Sequence, residues 1–259
     1  MILSVDQIER YHRDGFVIGP KVLDGERLAT LRSEIAHVVQ TLPAGNRPEN
    51  TRNPHERSAT FLDLCLDGPI VDAAEQLLGE SGLLMWGTYG FAKPAHDGLP
   101  VDWHQDGRYY PLQPMATVSA WLALDDSRRE NGCLEMIPGS HRARRFLPHV
   151  MHENWGRDTA LPLAVAEADA AGAVALEMEA GQFEIHDPYT VHGSRPNRSD
   201  QARWGIQIIY SIPSVRLDVT DQEVMGLAWH TIKLFRCRTP RQYHYPAAPD
   251  EVHTYVMEG

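Results

Sequence analysis

The hydrophobic positions of the first 80 residues recur mostly with helical spacing. Ser4 and Gln7 form a capping-box pattern, which predicts a helix with an apolar stripe that ends at Gly15. The stripe consists of Val5, Ile8 and Tyr11. Residues 16–18 are strand-like, and a second helix is predicted from about residue 24 to just before Pro43. Residues 43–60 are predicted to form a loop, and a third helix is predicted over 69–78, with proline in its first turn and Gly79 at its end.

After residue 82 the pattern changes to short segments rich in β-branched and aromatic residues, separated by turn residues. Strands are predicted at 83–92, 101–105, 116–124, 133–137, 173–178, 182–186, 190–193 and 203–211. Such a series favours an antiparallel sandwich or barrel over a parallel α/β sheet. Residues 138–172 form a long insertion, which is typically functional or partly helical.

The tail after residue 220 contains apolar positions from Val224 to Phe235 with helical spacing, which predicts a helix packed on the sheet. No internal repeat or low-complexity linker divides the chain. We therefore predict one domain over residues 1–259. It comprises a helical part at 1–80, a β core at 82–211 and a tail at 212–259.

The composition narrows the class of protein. A hydrophobic fraction of 42% and a charged fraction of 23% are those of an ordinary soluble globular protein. The net charge of −11 argues against nucleic acid as a partner, since phosphate binding needs a concentrated positive surface. The short basic run at 142–145 is interpreted as a solvated loop, with an anionic-substrate site as the alternative.

Cysteine use and the N-terminus indicate the compartment. Cys65, Cys133 and Cys237 are widely spaced and odd in number, so neither a disulfide framework nor a zinc site is predicted. The N-terminus is charged almost at once and has no signal-peptide pattern, and no apolar run is long enough to cross a membrane. These features predict a cytoplasmic protein that does not bind a membrane.

Candidate chemistry centres on the stretch VDWHQDGRYYP at 101–111. His104 and Asp106 are two residues apart in a predicted strand, so their side chains are expected to share a face. His192 is the strongest candidate for a third ligand, and His186 in the same downstream segment is its rival. Two histidines and one carboxylate form the facial triad of non-haem Fe(II) oxygenases. Taken alone, His104 and Asp106 would instead be read as a buried hydrogen-bonded pair.

A charged residue in an apolar strand suggests a co-substrate. Arg203 begins the segment RWGIQIIYS, where a buried guanidinium is costly unless it is paired. A carboxylate of a dicarboxylic keto acid would pair with it, provided that the strands carrying His192 and Arg203 are neighbours. The Ser194 hydroxyl is expected to donate to the same carboxylate.

Three blocks in this order carry a family resemblance: HQD at 104–106, WLALDDSRRENGCLEMIPGSH at 121–141, and VHGSRPNRSDQAR at 191–203. Over about residues 4–211 the chain resembles the phytanoyl-CoA dioxygenase-like group of Fe(II)/2-oxoglutarate oxygenases. The resemblance implies a mainly β fold with flanking helices and a double-stranded β-helix, or jelly-roll, core. It also implies iron on His104, Asp106 and His192, and 2-oxoglutarate on Ser194 and Arg203.

The resemblance further implies the reaction. O2 and 2-oxoglutarate give succinate and CO2 while an unactivated C–H bond of a small molecule is oxidised, usually to an alcohol. Related enzymes desaturate, close rings or halogenate, and the carboxylate of Asp106 disfavours halogenation. A natural-product scaffold is the hypothesis for the substrate, catabolism of a small polar compound is the alternative, and a fatty acyl-CoA is less expected. Loops 43–60 and 138–172 are expected to cap the site mouth.

Two other functions stay open at this point. One is a cupin-type isomerase or binding protein that holds a metal without 2-oxoglutarate, and the other is a sensor or scaffold that has lost turnover. Arg203 and Ser194 argue against the first, and the intact triad argues against the second. Trp103 and Trp121 are expected in the core. The side chains of three further residues either line the substrate pocket or lie exposed: Arg108, Tyr110 and Arg195.

Overall fold

The computed structural model describes residues 1–217, 233–237 and 253–254. Its helices are α1 (Val5–Asp14), α2 (Gly25–Gln40), α3 (Ala59–Leu66) and α4 (Pro69–Leu78). The strands of the first half are β1 (Phe16–Lys21), β2 (Thr51–Arg52), β3 (Leu84–Lys93), β4 (Val101–Gln105), β5 (Leu112–Gln113), β6 (Thr117–Ala123) and β7 (Leu134–Met136). Those of the second half are β8 (His149–Met151), β9 (Leu163–Val165), β10 (Val174–Leu176), β11 (Gln182–His186), β12 (Val191–Ser194), β13 (Arg203–Ser211), β14 (Arg216–Leu217), β15 (Lys233–Arg236) and β16 (His253–Thr254).

The helical N-terminal part is confirmed. The Ser4 hydroxyl accepts from the backbone N–H of Gln7, and the Gln7 side chain accepts from the N–H of Ser4, so the capping box caps α1. Gly15 ends the helix at φ 92°, a left-handed conformation that glycine adopts without a steric penalty. One part of the expected apolar stripe is wrong, since Val5 is 59% exposed while Tyr11 is buried.

Helix α3 was not predicted, and it begins at Ala59, inside the end of the predicted loop at 43–60. The Ser58 hydroxyl caps it by accepting from the N–H of Phe61. Four of its eight residues are buried, namely Phe61, Leu62, Leu64 and Cys65, and its two polar residues, Thr60 and Asp63, are too few to mark a helical period in the sequence. The loop itself contains two short 3-10 helices, Pro48–Asn50 and Pro54–Arg57, and strand β2, which pairs with β3.

Two antiparallel sheets face each other and form the jelly roll. In the described residues the larger sheet has the order β1-β11-β6-β13-β3-β15-β16, with β2 also on β3, and the smaller has the order β10-β7-β12-β4. The predicted mainly β class is therefore confirmed, and the predicted strands from 83 to 211 are present with slightly different ends. The helix predicted from 220 lies mostly outside the described residues, and at Lys233–Arg236 a strand replaces it. That residues 1–259 form one domain stays a prediction.

The two faces of the larger sheet have different roles. Alternate residues such as Leu122, Phe183, Ile206 and Ile208 point to the outer face, where the helices cover them and form the main hydrophobic core. The inner face points to the smaller sheet and carries polar residues as well as Trp121. The functional candidates therefore lie between the two sheets.

The insertion at 138–172 contains a 3-10 turn, Ser140–Ala143, and the hairpin β8–β9. The Tyr109 hydroxyl donates to the carbonyl of Leu163 and accepts from its N–H, which joins the hairpin to the segment after β4. The N–H of Ala160 donates to the carbonyl of Pro100. The hairpin thus lies beside the strand that carries His104. Among the described helices, none has the length and apolarity needed to cross a membrane.

Candidate metal centre

Strand pairing brings the three candidate ligands together. His192 on β12 lies directly opposite His104 on β4, and Asp106 is the first residue of the 3-10 turn that follows β4. Asp106 Oδ1 is 3.3 Å from His104 Nε2 and 3.6 Å from His192 Nε2. The ligand atoms of these buried residues lie within 4.8 Å of one another. The structure therefore places a buried two-histidine, one-carboxylate cluster at the end of β4.

The backbone orients both imidazole rings. His104 Nδ1 is 2.8 Å from the carbonyl of Asp102, and His192 Nδ1 is 3.0 Å from the carbonyl of Thr190. A carbonyl only accepts, so each Nδ1 carries the proton and each Nε2 presents its lone pair toward Asp106. Burial and the neighbouring His104 lower the pKa of His192 well below its ordinary value, so the ring is neutral. Neutral imidazoles held in one tautomer are what a divalent metal requires.

The two oxygens of Asp106 have different surroundings. Oδ2 accepts hydrogen bonds from Ser119 Oγ at 2.6 Å, from Gln207 Nε2 at 2.5 Å and from His186 Nε2 at 2.9 Å. Oδ1 faces His104 and His192 instead. Burial would raise the pKa of this carboxyl, but His192, His104 and His186 hold it well below its usual range. An ionised carboxylate with one oxygen turned to the two Nε2 atoms completes a donor set that fits Fe(II).

His186, the rival ligand, lies beside the cluster rather than in it. Its Nδ1 is 2.9 Å from Glu184 Oε1, and its Nε2 is 2.9 Å from Asp106 Oδ2. Burial opposes a charge on this ring, but Glu184 and Asp106 raise the pKa of His186 to about 10. The ring therefore donates at both nitrogens and supports Asp106.

Arg203 is buried at the other end of the same cavity. It is 1% exposed, its guanidinium donates to the carbonyl of Gly132, and it lies 5.0 Å from the Trp121 ring centroid. Its strand β13 belongs to the larger sheet and His192 to the smaller, so the two strands are not neighbours and the condition set for their pairing is not met. The two residues face each other across the sheets, and in the described residues no carboxylate accepts a hydrogen bond from Arg203.

Ser194 and Lys93 add to this polar end. Ser194 Oγ is buried and has no hydrogen-bond partner among the described residues, which is unusual for a hydroxyl. Lys93, directly opposite Arg203 in the β3–β13 pairing, is also buried, and its ammonium donates to the carbonyls of Ser194 and Arg195. Burial, followed by repulsion from Arg203, lowers the pKa of Lys93 well below its ordinary value. A buried cationic end with an unpaired hydroxyl suits an anionic group.

One cavity joins the two ends. Its lining comprises Phe91, Val101, His104, Asp106, Trp121, Leu134, His186, His192, Ser194, Arg203 and Gln207. Metal donors lie at one end of this cavity and Arg203 with Ser194 at the other. This arrangement fits a keto diacid that chelates a metal through one end and reaches Arg203 with its far carboxylate.

Sequence reasoning missed four polar residues of the inner sheet face: Lys93, Ser119, Glu184 and Gln207. Each lies in an apolar strand, the same signal that singled out Arg203. Trp121 is buried beside the site, as expected, while Trp103 is only half-buried. Of the open alternatives, Tyr110 is buried, and its hydroxyl pairs with Ser119, whereas Arg195 is exposed and paired with Glu135. Arg108 is partly buried.

Comparison with known proteins agrees with this geometry. The family model described as phytanoyl-CoA dioxygenase (PhyH) matches residues 11–205. An ectoine dioxygenase of Halomonas elongata is 28% identical over 235 residues, which cover 81% of this chain and 70% of that protein. A non-haem monooxygenase structure, ThoJ, has 27% identity and a TM-score of 0.72, covering 90% of this chain and 85% of that chain. EvdO2 from Micromonospora carbonacea var. aurantiaca, solved with 2-oxoglutarate, has 26% identity and a TM-score of 0.69, covering 83% of this chain and 93% of that chain.

Proposed function

The chain belongs to the phytanoyl-CoA dioxygenase family of non-haem Fe(II)/2-oxoglutarate oxygenases, and on that premise we propose that it hydroxylates an unactivated C–H bond of a small molecule. The observation that carries the proposal is the single cavity with the His104, Asp106 and His192 cluster at one end and Arg203 at the other. A natural-product scaffold is the substrate class that we propose to screen first. Ectoine, the compound in the name of the Halomonas relative, is the comparison compound in that screen.

We assign iron to His104, Asp106 and His192. The carbonyls of Asp102 and Thr190 hold the Nδ1 protons, so both Nε2 lone pairs are available to the metal. Asp106 contributes Oδ1, while its Oδ2 stays hydrogen-bonded to the larger sheet. With O2 and 2-oxoglutarate, the bound iron supplies the oxidising power that turns the keto acid into succinate and CO2 and a C–H bond into an alcohol.

We assign the far carboxylate of 2-oxoglutarate to Arg203 and Ser194. The guanidinium is fixed by the Gly132 carbonyl and by the Trp121 ring, which leaves N–H groups for a carboxylate. Ser194 Oγ is buried without a partner in the described part of the chain, so a bound carboxylate gives it a hydrogen-bond acceptor. Lys93 lies opposite Arg203 in the β3–β13 pairing, and its nitrogen donates to the carbonyls of Ser194 and Arg195, which fixes the backbone at Ser194.

An anaerobic titration tests the metal and the co-substrate together. Fe(II) is added to the metal-free protein, then 2-oxoglutarate, and the visible charge-transfer band of the iron–keto acid chelate is recorded. The proposal expects the band in the wild type, and it expects succinate in air to rise when a true substrate is added. Bound iron with no band at saturating 2-oxoglutarate would contradict the proposal.

The cupin-type alternative makes the opposite prediction. Such a protein would bind the metal but not respond to 2-oxoglutarate, and it has no need for a buried arginine facing the metal across the sheets. The family assignment and the Arg203 geometry disfavour this alternative.

A further inference from the structure

We propose that Glu184 and His186 form a positioning pair that holds Asp106 by its Oδ2 atom, so that Oδ1 alone faces the metal. The inference rests on the proposed function, because it concerns the carboxylate assigned to iron. Neither Glu184 nor His186 contributes an atom to the His104, Asp106 and His192 cluster. Their effect on the metal is therefore expected to pass through Asp106.

Strand register places Glu184 and His186 on the part of the larger sheet that faces Asp106. Glu184 and His186 are two residues apart on β11, so both side chains point to the inner face. In the β11–β6 pairing His186 lies opposite Ser119, and these two neighbours both donate to Asp106 Oδ2. Asp106 itself follows β4 of the smaller sheet. The hydrogen bonds to Oδ2 therefore cross the gap between the sheets.

Glu184 determines which ring nitrogen of His186 carries a proton that can be donated to Asp106. Its carboxylate is fully buried, and His186 is the hydrogen-bond partner that the described residues provide for it, with its two oxygens 2.9 and 3.2 Å from Nδ1. An ionised carboxylate only accepts, so Nδ1 carries a proton, and Nε2 carries the other because it donates to Asp106. The ring centre lies 4.4 Å from that of His192, yet the ring has no lone pair for a metal.

The chain of contacts explains why a glutamate is buried inside a sheet sandwich. A buried carboxylate without a cationic partner is strongly unfavourable, so Glu184 is stable there only with His186 as a donor. Hydrogen-bonding groups that orient metal ligands usually change metal affinity by about 10- to 100-fold when they are removed. We expect an effect of that size from this pair.

The test is the Co(II) dissociation constant of the full chain, measured by competition with a chelating dye in the absence of 2-oxoglutarate. His186→Phe and Glu184→Leu are expected to weaken Co(II) binding by about 10- to 100-fold. His186→Gln keeps an N–H donor for Asp106 Oδ2 and is expected to restore most of the affinity. Phe183→Leu is the matched control, because Phe183 lies on the same strand but faces the helices. It should lower the melting temperature of the metal-free protein without changing Co(II) affinity.

Two results would overturn the inference. The first is Co(II) affinity within twofold of wild type in folded His186→Phe or Glu184→Leu. The second is a loss in His186→Gln as large as in His186→Phe, which would mean that the donor to Asp106 is irrelevant. Melting temperatures of the metal-free variants show which of them are folded. If a variant is unfolded, Glu184→Gln is measured in its place, and its expected loss of Co(II) affinity is smaller than that of Glu184→Leu. A wild type that binds Co(II) but gives no Fe(II)–2-oxoglutarate band would instead refute the proposed function and leave this inference standing.

Discussion

Replacing Arg203 by methionine separates its role in co-substrate binding from its role in packing. The change keeps an unbranched side chain of similar length but removes the charge and the donors. A hydrogen bond to a charged group contributes about 1.5–3 kcal/mol, so losing the contact to the far carboxylate should weaken 2-oxoglutarate binding by about 10- to 150-fold. The loss of binding to a compound without that carboxylate should be far smaller.

The assay therefore compares two ligands. 2-Oxoglutarate and 2-oxopentanoate have the same keto acid end, but only the first has the second carboxylate. Both are titrated anaerobically against the Fe(II) protein, and the ratio of their dissociation constants is taken for wild type and variant. We expect the wild type to prefer 2-oxoglutarate strongly and Arg203→Met to lose most of that preference. An unchanged ratio would refute the assignment of Arg203 to the carboxylate.

Arg203→Met also changes the free energy of unfolding, and its two contributions to that energy have opposite signs. The variant leaves the Gly132 carbonyl without its donor, a cost of about 1–3 kcal/mol, but it also removes a buried cation next to Lys93. Burial lowers the pKa of Arg203 to about 10, because desolvation disfavours the charged guanidinium. Arg195→Met is the control arginine, since its side chain is 72% exposed, pairs with Glu135 and does not line the cavity. It should leave the ratio unchanged.

Ser194→Ala removes a hydroxyl that has no partner among the described residues, so the metal-free protein should melt at the same or a higher temperature. Its 2-oxoglutarate dissociation constant, measured by the same anaerobic titration, should rise by about 10- to 150-fold because the acceptor is a charged carboxylate, and a drop in the melting temperature of more than a few degrees would contradict this account. Asp106→Asn should abolish the stabilisation by Co(II), which in wild type reaches about 2.7 kcal/mol at one hundred times the dissociation constant, as followed by thermal unfolding. Gly205→Ala would bring a Cβ to 1.8 Å from the Trp121 ring and should cost about 1–3 kcal/mol in chemical denaturation while weakening 2-oxoglutarate binding. Gly172→Ala, where nothing lies within 4 Å, should have little effect on either.

The strands and the candidate cluster could be predicted because their signals are local. Alternation of apolar residues marks β13 and β6. His104 and Asp106 share a face, as their two-residue spacing predicts, although β4 ends at Gln105, because the following turn begins at Asp106 itself. His192 is reached through the family motif rather than through periodicity. These signals do not depend on which strand lies next to which.

The parts that could not be predicted depend on strand order. The sequence alone gives no physical reason why His192, the predicted ligand, joins the cluster and His186 does not. The reason is that β12 pairs with β4 while β11 pairs with β6 in the opposite sheet. The same division places Arg203 across from His192 instead of beside it. Helix α3 was not predicted for a different reason, because its short sequence is mostly apolar and its two polar residues, Thr60 and Asp63, are too few to mark a helical period.

Because the cavity lies between two sheets, the packing of the sheets helps to set its length. The proposed iron ligands belong to the smaller sheet and its adjoining turn, and Arg203 belongs to the larger sheet. The length of diacid that fits therefore depends on the gap between the sheets as well as on the four-residue spacing of Gln207 and Arg203 along β13. Apolar side chains between the sheets, such as Trp121, Leu134 and Met136, keep that gap constant. We therefore expect selection between diacids that differ by one carbon to depend on hydrophobic packing as well as on polar contacts, and repacking these residues should shift the preferred chain length while every polar contact residue stays the same.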